Sequence, residues 1–395
     1  MDTKPHAIII GAGFTGCALA HDLALRGYKV TVVDRGEITS GTSGRTHGLL
    51  HSGGRYCVND REAAVECIEE NILLRKINKQ CIEFNGGLFV ALNEEDVEFG
   101  KKFVEGAKAC GIETEQLTAS EALKLEPALS PSVLTAYAVP DGSFDPLRLA
   151  FAFAATAQQN GAEFRTYHEV KKLIKSGPDR ISGVHVWNRH TNSEYDLFAD
   201  IVVNATGAWA GLVAATANLS VPVNPTPGVM VAFNKRLINH VINRLALPGD
   251  GDIIIPQRRM GVIGTTSFEV TNADYIPVEE DQTKLMWERA VELVPGFKNT
   301  SQRGVFMSAR PLIGASVQGR SLSRTFKCYD HKESEGIDGL VTITGGKATT
   351  CRAMAEKTAD LVAQKLGYGT ACSTKEVILT SYRNFYQPSQ VSYEH

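Results

Sequence analysis

The start of the chain predicts a strand, a glycine-rich turn, a helix and a second strand in immediate succession. Residues 7–10 are an apolar, β-branched run, and residues 11–16 have the sequence Gly-Ala-Gly-Phe-Thr-Gly. Residues 17–26 have the spacing of an amphipathic helix, and residues 29–33 are a second apolar run that ends on Asp34. Near-continuous apolar runs are typical of buried parallel strands, so we expect an α/β unit here.

The three glycines and the final acid each have a physical role in binding a dinucleotide. Gly11 permits the tight turn, Gly13 lets the backbone approach a pyrophosphate, and Gly16 lets the helix pack on the strand. The helix N-terminus stabilises the phosphate charge, and Asp34 can accept hydrogen bonds from ribose hydroxyls. The pattern leaves NAD and FAD both open. It predicts cofactor contacts at Gly11, Ala12, Gly13, Phe14, Thr15, Gly16, Asp34 and Arg35.

Residues 39–48 are dense in glycine and in hydroxyl side chains. Such a stretch can wrap a cofactor with backbone N–H groups and Ser/Thr hydroxyls, although a flexible linker has a similar composition. We interpret it as a second cofactor loop, which favours FAD. The predicted contacts in this loop are Thr42, Ser43, Arg45, Thr46, His47 and Gly48.

Charge and composition exclude several other classes of protein. The net charge of -3 and the pI of about 6.4 give no basic excess for nucleic acid. No apolar run reaches the length of about 18 residues that a spanning helix needs, and the first strand begins too close to Met1 for a signal peptide. The eight cysteines form no C-x-x-C pair, so we expect no metal site. We therefore expect a cytoplasmic protein.

Several further segments resemble one family together. They are residues 41–56 (GTSGRTHGLLHSGGRY), 139–148 (VPDGSFDPLR), 202–209 (VVNATGAW), 308–313 (SARPLI) and 343–352 (ITGGKATTCR). With the N-terminal fingerprint, they resemble the FAD-dependent glycerol-3-phosphate dehydrogenases, within the larger group that includes D-amino-acid and glycine oxidases. The resemblance is nearer the large, catalytic subunit of the anaerobic enzyme than the aerobic one, and it covers about residues 1–375.

The resemblance implies an α/β fold with a discontinuous, Rossmann-like FAD-binding domain and a second domain built on an antiparallel sheet. We assign residues 1–85, 140–215 and 335–375 to the first domain, 86–139 and 216–334 to the substrate domain, and 376–395 to a tail. Strands at residues 163–170, 183–186 and 201–203 are expected to return to the FAD-binding domain. Residues 221–310 are strand-like with polar turns, and the chain beyond Tyr382 is expected to be poorly ordered.

The function implied by the resemblance is oxidation of sn-glycerol 3-phosphate to dihydroxyacetone phosphate, with electrons passed to a quinone or a partner subunit. The resemblance also implies that the protein can associate peripherally with the inner face of the membrane. Two departures bear on this function. Residues 1–395 do not include the family's cysteine-rich C-terminal extension, so we do not expect its iron–sulfur cluster on these residues, and Ser308 stands where the family usually has glycine. The alternatives are oxidation of another polyol phosphate, a 2-hydroxy acid or an amine, and a flavin subunit without catalytic activity.

The resemblance also implies the site residues. Arg55, Tyr56, Arg310 and Lys347 are expected to bind the phosphorylated substrate, because arginine forks and a lysine at a helix start suit a dianion. His51 is the candidate general base, with hydrogen bonding to the flavin as the alternative. Asn243 and Arg244 are expected to line the substrate side. The remaining predicted cofactor contacts are Val170, Ala205, Gly207, Trp209, Gly346, Lys347, Ala348 and Thr349.

Overall fold

The computed structural model describes residues 4–314 and 325–387. The strands are β1 (His6–Ile10), β2 (Lys29–Val33), β3 (Leu49–Leu50), β4 (Ile82–Glu83), β5 (Gly87–Ala91), β6 (Glu115–Thr118), β7 (Thr135–Val139), β8 (Gly142–Phe144), β9 (Glu163–Arg165), β10 (His168–Lys175), β11 (Ile181–Asn188), β12 (Ser193–Phe198), β13 (Ile201–Asn204), β14 (Val223–Phe233), β15 (Val241–Arg244), β16 (Ile253–Gln257), β17 (Met260–Gly264), β18 (Gln302–Ile313), β19 (Phe326–Asp330) and β20 (Leu340–Gly345). The helices are α1 (Phe14–Leu25), α2 (Arg61–Ile77), α3 (Glu94–Ala109), α4 (Ala119–Leu125), α5 (Pro146–Gln159), α6 (Ala210–Ala215), α7 (Glu280–Leu293), α8 (His331–Glu335) and α9 (Cys351–Leu366).

A six-stranded sheet in the order β19-β20-β13-β1-β2-β9 forms the nucleotide-binding half of the molecule. Its strands are parallel except for β19, which runs antiparallel to β20. The central strand β1 is buried on both faces because its side chains are almost all aliphatic. Helices α1, α5 and α9 pack on one face. The predicted α/β class with a Rossmann-like unit is confirmed.

The other face of the six-stranded sheet is covered by a small antiparallel sheet, β10-β11-β12, together with α6. The sequence predicted one strand over residues 163–170. Instead β9 ends at Arg165 and β10 begins at His168, because Tyr167 turns the chain with a φ of 60°. Of the strands expected to return to the FAD-binding domain, β9 and β13 join the six-stranded sheet, and β10 and β11 lie above it.

An eight-stranded sheet in the order β18-β14-β17-β16-β15-β5-β7-β6 faces the first sheet. Its neighbours pair antiparallel except for β15 and β5, which are parallel. Residues 221–310 were expected to be strands and turns throughout, and this is wrong for α7. Met286, Ala290 and Leu293 have the i, i+4, i+7 spacing of an amphipathic helix and are buried against the sheet. The predicted limits of the two domains remain a prediction, and residues 1–3 and 315–324 lie outside the described part of the chain.

The chain beyond Tyr382 was expected to be poorly ordered, and this is wrong as far as Gln387. Residues Tyr382–Tyr386 form a short 3-10 helix. Phe385 packs edge-on against Phe151 of α5 and Phe164 of β9, with ring centroids 5.2 Å and 5.5 Å apart. Aromatic burial therefore holds this segment on the six-stranded half of the molecule. Residues 388–395 of the predicted tail lie outside the described residues.

Candidate active site

A cavity of about 1270 Å³ lies between the six-stranded and the eight-stranded sheets. Its walls include the turn after β1, the end of β2, the loop that follows it, and strands β14 and β18. Pockets for drug-sized ligands measure about 300–1,000 Å³. This cavity is larger, and it has room for a dinucleotide together with a small second ligand.

The turn between β1 and α1 brings the backbone to the cavity wall. Gly11 has a φ of 104°, and a Cβ there would lie 2.7 Å from the carbonyl oxygen of Ala205. A Cβ at Gly16 would lie 1.9 Å from the carbonyl oxygen of Gly11, so the helix packs too closely for any side chain. Glycine is therefore the residue that fits at each of these two positions. As a result α1 starts at Phe14 with its N-terminus at the cavity, where it favours an anion.

Asp34 lies at the end of β2, on the cavity wall. Its Oδ2 accepts a hydrogen bond from the Ala12 N–H at 2.7 Å, and its Oδ1 accepts one from the Gly36 N–H at 2.8 Å. Burial raises the pKa of Asp34, while these donors act in the opposite direction. The two backbone bonds orient the carboxylate, as binding of ribose hydroxyls requires.

The loop after β2 is tied to both sheets. The Ser43 hydroxyl accepts a hydrogen bond from the Phe14 N–H at 3.0 Å, and the Thr42 hydroxyl donates to the carbonyl of Ala309 on β18 at 2.7 Å. Ser308 also donates to this loop, from its Oγ to the carbonyl of Arg45 at 3.2 Å. The loop is therefore held in place by bonds at both of its sides.

Arg310 lies on β18 and lines the cavity. Its Nε donates to the carbonyl of Thr226 at 3.0 Å, and its Nη2 donates to the carbonyls of Pro227 at 2.9 Å and Thr266 at 3.0 Å. Its Nη1 donates to the hydroxyl of Thr265 at 2.9 Å. These bonds use four of the five guanidinium N–H donors. They fix Arg310 as an oriented positive charge on the cavity wall, which attracts an anionic group such as a phosphate or a carboxylate.

Arg55 is a second cation of the same cavity. Its Nη2 donates to the carbonyl of Gly249 at 3.1 Å and pairs with the carboxylate of Asp252 at 3.3 Å. Both Arg55 and Arg310 act on His47: burial first, and then these two positive charges, lower the pKa of His47 to about 3. His47 is therefore neutral at physiological pH. The shared effect also indicates that both arginines lie near His47.

His51, Tyr56 and Lys347 complete this end of the cavity. The His51 ring lies 5.3 Å from the Tyr56 ring and 6.4 Å from the His47 ring, centroid to centroid. The Lys347 Nζ lies 5.1 Å from the centroid of Tyr56. The His51 N–H donates to the Thr349 hydroxyl at 3.1 Å, which joins the His51 loop to the turn before α9. Three cations and two histidines thus converge on one region.

Comparison with known proteins identifies the family. The family described as "FAD dependent oxidoreductase" matches residues 6–361. The chain is 41% identical to the A1 subunit of the anaerobic glycerol-3-phosphate dehydrogenase of Haloferax volcanii, over 98% of this chain and 68% of the relative. It is 38% identical to the corresponding subunit of the anaerobic glycerol-3-phosphate dehydrogenase of Escherichia coli strain K12, over 98% and 71%. The chain belongs to the FAD-dependent oxidoreductases, in the group of these dehydrogenase subunits. The predicted family and the predicted FAD cofactor are confirmed.

Solved structures of other proteins share the fold. The L-proline dehydrogenase from P. horikoshii matches with a TM-score of 0.75 and 23% identity, over 95% of this chain and 96% of that one. The glycerol-3-phosphate dehydrogenase from Bacillus halodurans, complexed with FAD, matches with a TM-score of 0.73 and 22% identity, over 96% and 68%. The predicted fold, a Rossmann-like FAD-binding domain with a second domain built on an antiparallel sheet, is confirmed.

The cavity fits FAD at the positions that the fingerprint named. The α1 N-terminus suits a pyrophosphate, Asp34 suits a ribose, and the loop around Ser43 lies beside both. Four predicted contacts lie behind the cavity wall and support it through neighbours: the Ala12 N–H holds Asp34, Gly16 packs α1 on β1, the Gly48 carbonyl accepts from the Phe144 N–H at 2.8 Å, and Thr349 holds His51. The other predicted cofactor contacts lie on the wall: Gly11, Gly13, Phe14, Thr15, Asp34, Arg35, Thr42, Ser43, Arg45, Thr46, His47, Val170, Ala205, Gly207, Trp209, Gly346, Lys347 and Ala348.

The structure corrects the placement of Asn243 and Arg244, which were expected to line the substrate side. Arg244 forms ion pairs with Asp96 at 3.2 Å and Glu292 at 2.5 Å, away from the cavity. Asn243 is fully buried, and its Nδ2 donates to Asp141 at 3.1 Å. The same Asp141 accepts from the Ser52 N–H at 2.7 Å. Asn243 therefore supports the His51 loop from behind the cavity.

Several residues of the wall were not predicted from the sequence. Thr265 binds Arg310, and Asp274 reaches Arg35 across the cavity. Met230 of β14 lines the same wall. For Thr265 and Asp274 the sequence signal is a polar stretch between β17 and α7, which resembles a surface loop, and Met230 lies in an apolar strand that gives no sign of a site. In the described residues, no three His, Cys, Asp or Glu side chains are grouped so that they could hold a metal ion.

Proposed function

We propose that this protein oxidises sn-glycerol 3-phosphate to dihydroxyacetone phosphate. The observation that carries the proposal is that Arg55, Arg310 and Lys347 line the same cavity. Charge and ring contacts through His47, His51 and Tyr56 link the three cations. Three cations suit a phosphate dianion better than a single carboxylate, because each added positive charge strengthens binding of the second negative charge. The names of the relatives, anaerobic glycerol-3-phosphate dehydrogenases, support the same substrate.

Each residue has a role that follows from its contacts. Arg310, fixed by four hydrogen bonds, orients the phosphate, and Arg55 and Lys347 neutralise it. An imidazole nitrogen of His51 removes the proton of the substrate hydroxyl. The neutral His47 beside it takes no proton at physiological pH. When bound, FAD accepts the hydride from the alcohol carbon.

A second candidate function is the oxidation of a 2-hydroxy acid or an amino acid. It is favoured by the fold neighbours, which include a glycine oxidase from Bacillus cereus and the L-proline dehydrogenase. Arg310 alone would serve a carboxylate as well as a phosphate. In that case Arg55 and Lys347 would have no anionic group of the substrate to neutralise.

A panel of substrates separates the two candidates. The purified protein, with FAD bound, is mixed without oxygen with glycerol 3-phosphate, glycerol, lactate, glycine or proline, and bleaching of the flavin absorbance is followed. We expect fast bleaching by glycerol 3-phosphate and much slower bleaching by glycerol, which lacks the phosphate. Bleaching by lactate or an amino acid, with none by glycerol 3-phosphate, would establish the second candidate.

We further infer that the electrons leave through a partner protein or a quinone at the membrane surface. The relatives are named as subunits of an enzyme, which supports a partner. None of the helices in the described ranges is both long and apolar enough to cross a membrane. The test compares a soluble dye with a quinone in liposomes as acceptor. We expect good activity with the dye and poor activity with quinone, and efficient quinone reduction by this chain alone would refute the need for a partner.

A further inference from the structure

Residues 265–279 connect β17 to α7 along the cavity, and no part of this described segment is helix or strand. At its start, Thr265 and Thr266 accept hydrogen bonds from Arg310. Further along, the N–H groups of Phe268 and Val270 reach carbonyls of β14 at 3.3 Å, which is long for a ladder bond. Loops of this length without secondary structure are uncommon in compact domains, and many are lids or binding loops.

The middle of the segment reaches the nucleotide-binding half through Asp274 and its neighbour Ala273. Asp274 accepts hydrogen bonds from Arg35 Nη2 at 2.5 Å and Nη1 at 3.2 Å, and from Trp209 Nε1 at 3.0 Å. The Arg35 guanidinium also lies 4.6 Å from the centroid of the Trp209 ring. We call these three side chains the clasp. They come from the end of β2, the turn after β13 and the loop before α7, so the clasp joins parts of the chain that are far apart in sequence.

The clasp lies beside the nucleotide end of the cavity. Arg35 directly follows Asp34, and all three clasp residues line the cavity wall. Next to Asp274, Ala273 is buried against Ala208 and Ala309, with Trp209 packed on the same cluster. The segment thus closes the wall with a small apolar contact and one polar junction. The junction is half exposed: the side chains of Arg35 and Asp274 are 40% and 48% accessible to solvent.

We propose that the clasp retains FAD, and that residues 265–279 must detach from Arg35 and Trp209 before the cofactor can leave. Asp274 acts here as a positioning residue, because it holds Arg35 and Trp209 against the cavity. The proposal rests on FAD as the cofactor and is independent of the substrate. The ion pair is bidentate and supported by the indole N–H, so it is stronger than a typical surface pair. Its exposure makes it sensitive to salt, since charges at the surface are screened.

The test measures how fast FAD leaves the holoenzyme, with no substrate present. The protein is diluted, and the rise in fluorescence of released flavin is followed over time. Asp274→Ala is expected to release FAD about 3–10-fold faster, the effect of losing about 1 kcal/mol from a charged, partly exposed bond network. Asp274→Asn keeps the side-chain volume, and we expect its FAD release rate to lie between those of wild type and Asp274→Ala. This variant also tests the proposal if the alanine variant does not fold.

A matched control is the pair of Arg165 and Glu163 on β9. It is also bidentate, at 2.8 Å and 3.1 Å, and its side chains are 29% and 52% exposed. Glu163→Gln is expected to release FAD at the wild-type rate. As the salt concentration rises from about 0.1 M to about 1 M, the Debye length falls from about 10 Å to about 3 Å, so the difference between wild type and Asp274→Ala should shrink.

Trp209→Phe tests the clasp as a unit, because it removes the indole N–H but keeps a ring beneath Arg35. We expect it to speed release in the wild type and to have a smaller effect when Asp274 is already alanine. Equal effects in both backgrounds would show that Trp209 acts independently of Asp274. An unchanged release rate in Asp274→Ala, or an equal gain in Glu163→Gln, would overturn the proposal. If the wild-type protein does not oxidise glycerol 3-phosphate, but wild type and variants release flavin at the expected relative rates, only the proposed function is contradicted.

Discussion

Replacing Arg310 by lysine keeps the charge but removes the planar fork. In the structure the fork donates to acceptors on two sides, Thr226 and Pro227 on β14 and Thr265 and Thr266 beyond β17. An ammonium group is a point donor and cannot span both sides. Thr226 is fully buried and Thr266 is 2% exposed, so on whichever side the ammonium group leaves, at least one buried backbone acceptor loses its partner. Each loss costs about 1–3 kcal/mol. Water from the adjoining cavity replaces part of the lost hydrogen bonding. We expect Arg310→Lys to lower the free energy of unfolding by about 2–3 kcal/mol.

The effect on the substrate is larger than the effect on the cofactor. One charged hydrogen bond to phosphate contributes about 1.5–3 kcal/mol, which corresponds to about 10–150-fold in affinity. The assay is flavin reduction without oxygen in a stopped-flow instrument, at increasing glycerol 3-phosphate. We expect Arg310→Lys to raise the apparent Kd by about tenfold or more, while the FAD content per chain stays close to that of the wild type.

Arg244→Lys is the matched control. Arg244 is also a partly buried arginine on a strand of the same sheet, held by Asp96 and Glu292, but it lies outside the cavity. This change should lower the thermal midpoint and leave the apparent Kd unaltered. If Arg310→Lys binds glycerol 3-phosphate as the wild type does, Arg310 is a structural residue. An equal loss of affinity in Arg244→Lys would show that the effect comes from general destabilisation.

Three other changes test the site and its surroundings. Lys347→Gln should raise the apparent Kd for glycerol 3-phosphate by about tenfold, because one charged hydrogen bond is lost, and the same titration measures it. His51→Asn should slow flavin reduction by about 10²–10⁴-fold if His51 is the base; a rate within a few-fold of the wild type would assign it to hydrogen bonding. His21 is buried, no hydrogen-bond partner for its ring nitrogens lies in the described residues, and burial lowers its pKa to about 4. The unfolded chain therefore takes up a proton below about pH 6.5 that the folded chain refuses. His21→Leu should reduce the loss of stability between about pH 6.5 and pH 4 in thermal unfolding, and an unchanged pH profile would contradict this pKa.

The features that the sequence predicted well depend on residues that are close to each other in the sequence. Gly11 needs glycine for its positive φ, and Gly16 needs it because a side chain would meet the Gly11 carbonyl. Both requirements are local, so the fingerprint predicts α1 and Asp34 without knowledge of the rest of the chain. Arg244 shows the opposite case. It lies on β15 between a parallel and an antiparallel neighbour, and its ion pairs come from α3 and α7. Periodicity along β15 cannot reveal those partners. Asp274 was missed for the same reason, since Arg35 is 239 positions away in sequence.

Ser308 shows how the structure changes the meaning of a departure from the family pattern. By sequence it adds bulk beside the substrate arginine, because it precedes Arg310 by two residues on one strand and faces the same way. The hydroxyl, however, donates to the carbonyl of Arg45, and the residue pairs in register with Gly228, which has no side chain to compete for that space. Next to it, Ala309 accepts the hydroxyl of Thr42. Two successive residues of β18 thus hold the cofactor loop. The serine therefore strengthens the connection between the eight-stranded sheet and the FAD-binding loop, and Arg310 is still oriented by its own four bonds.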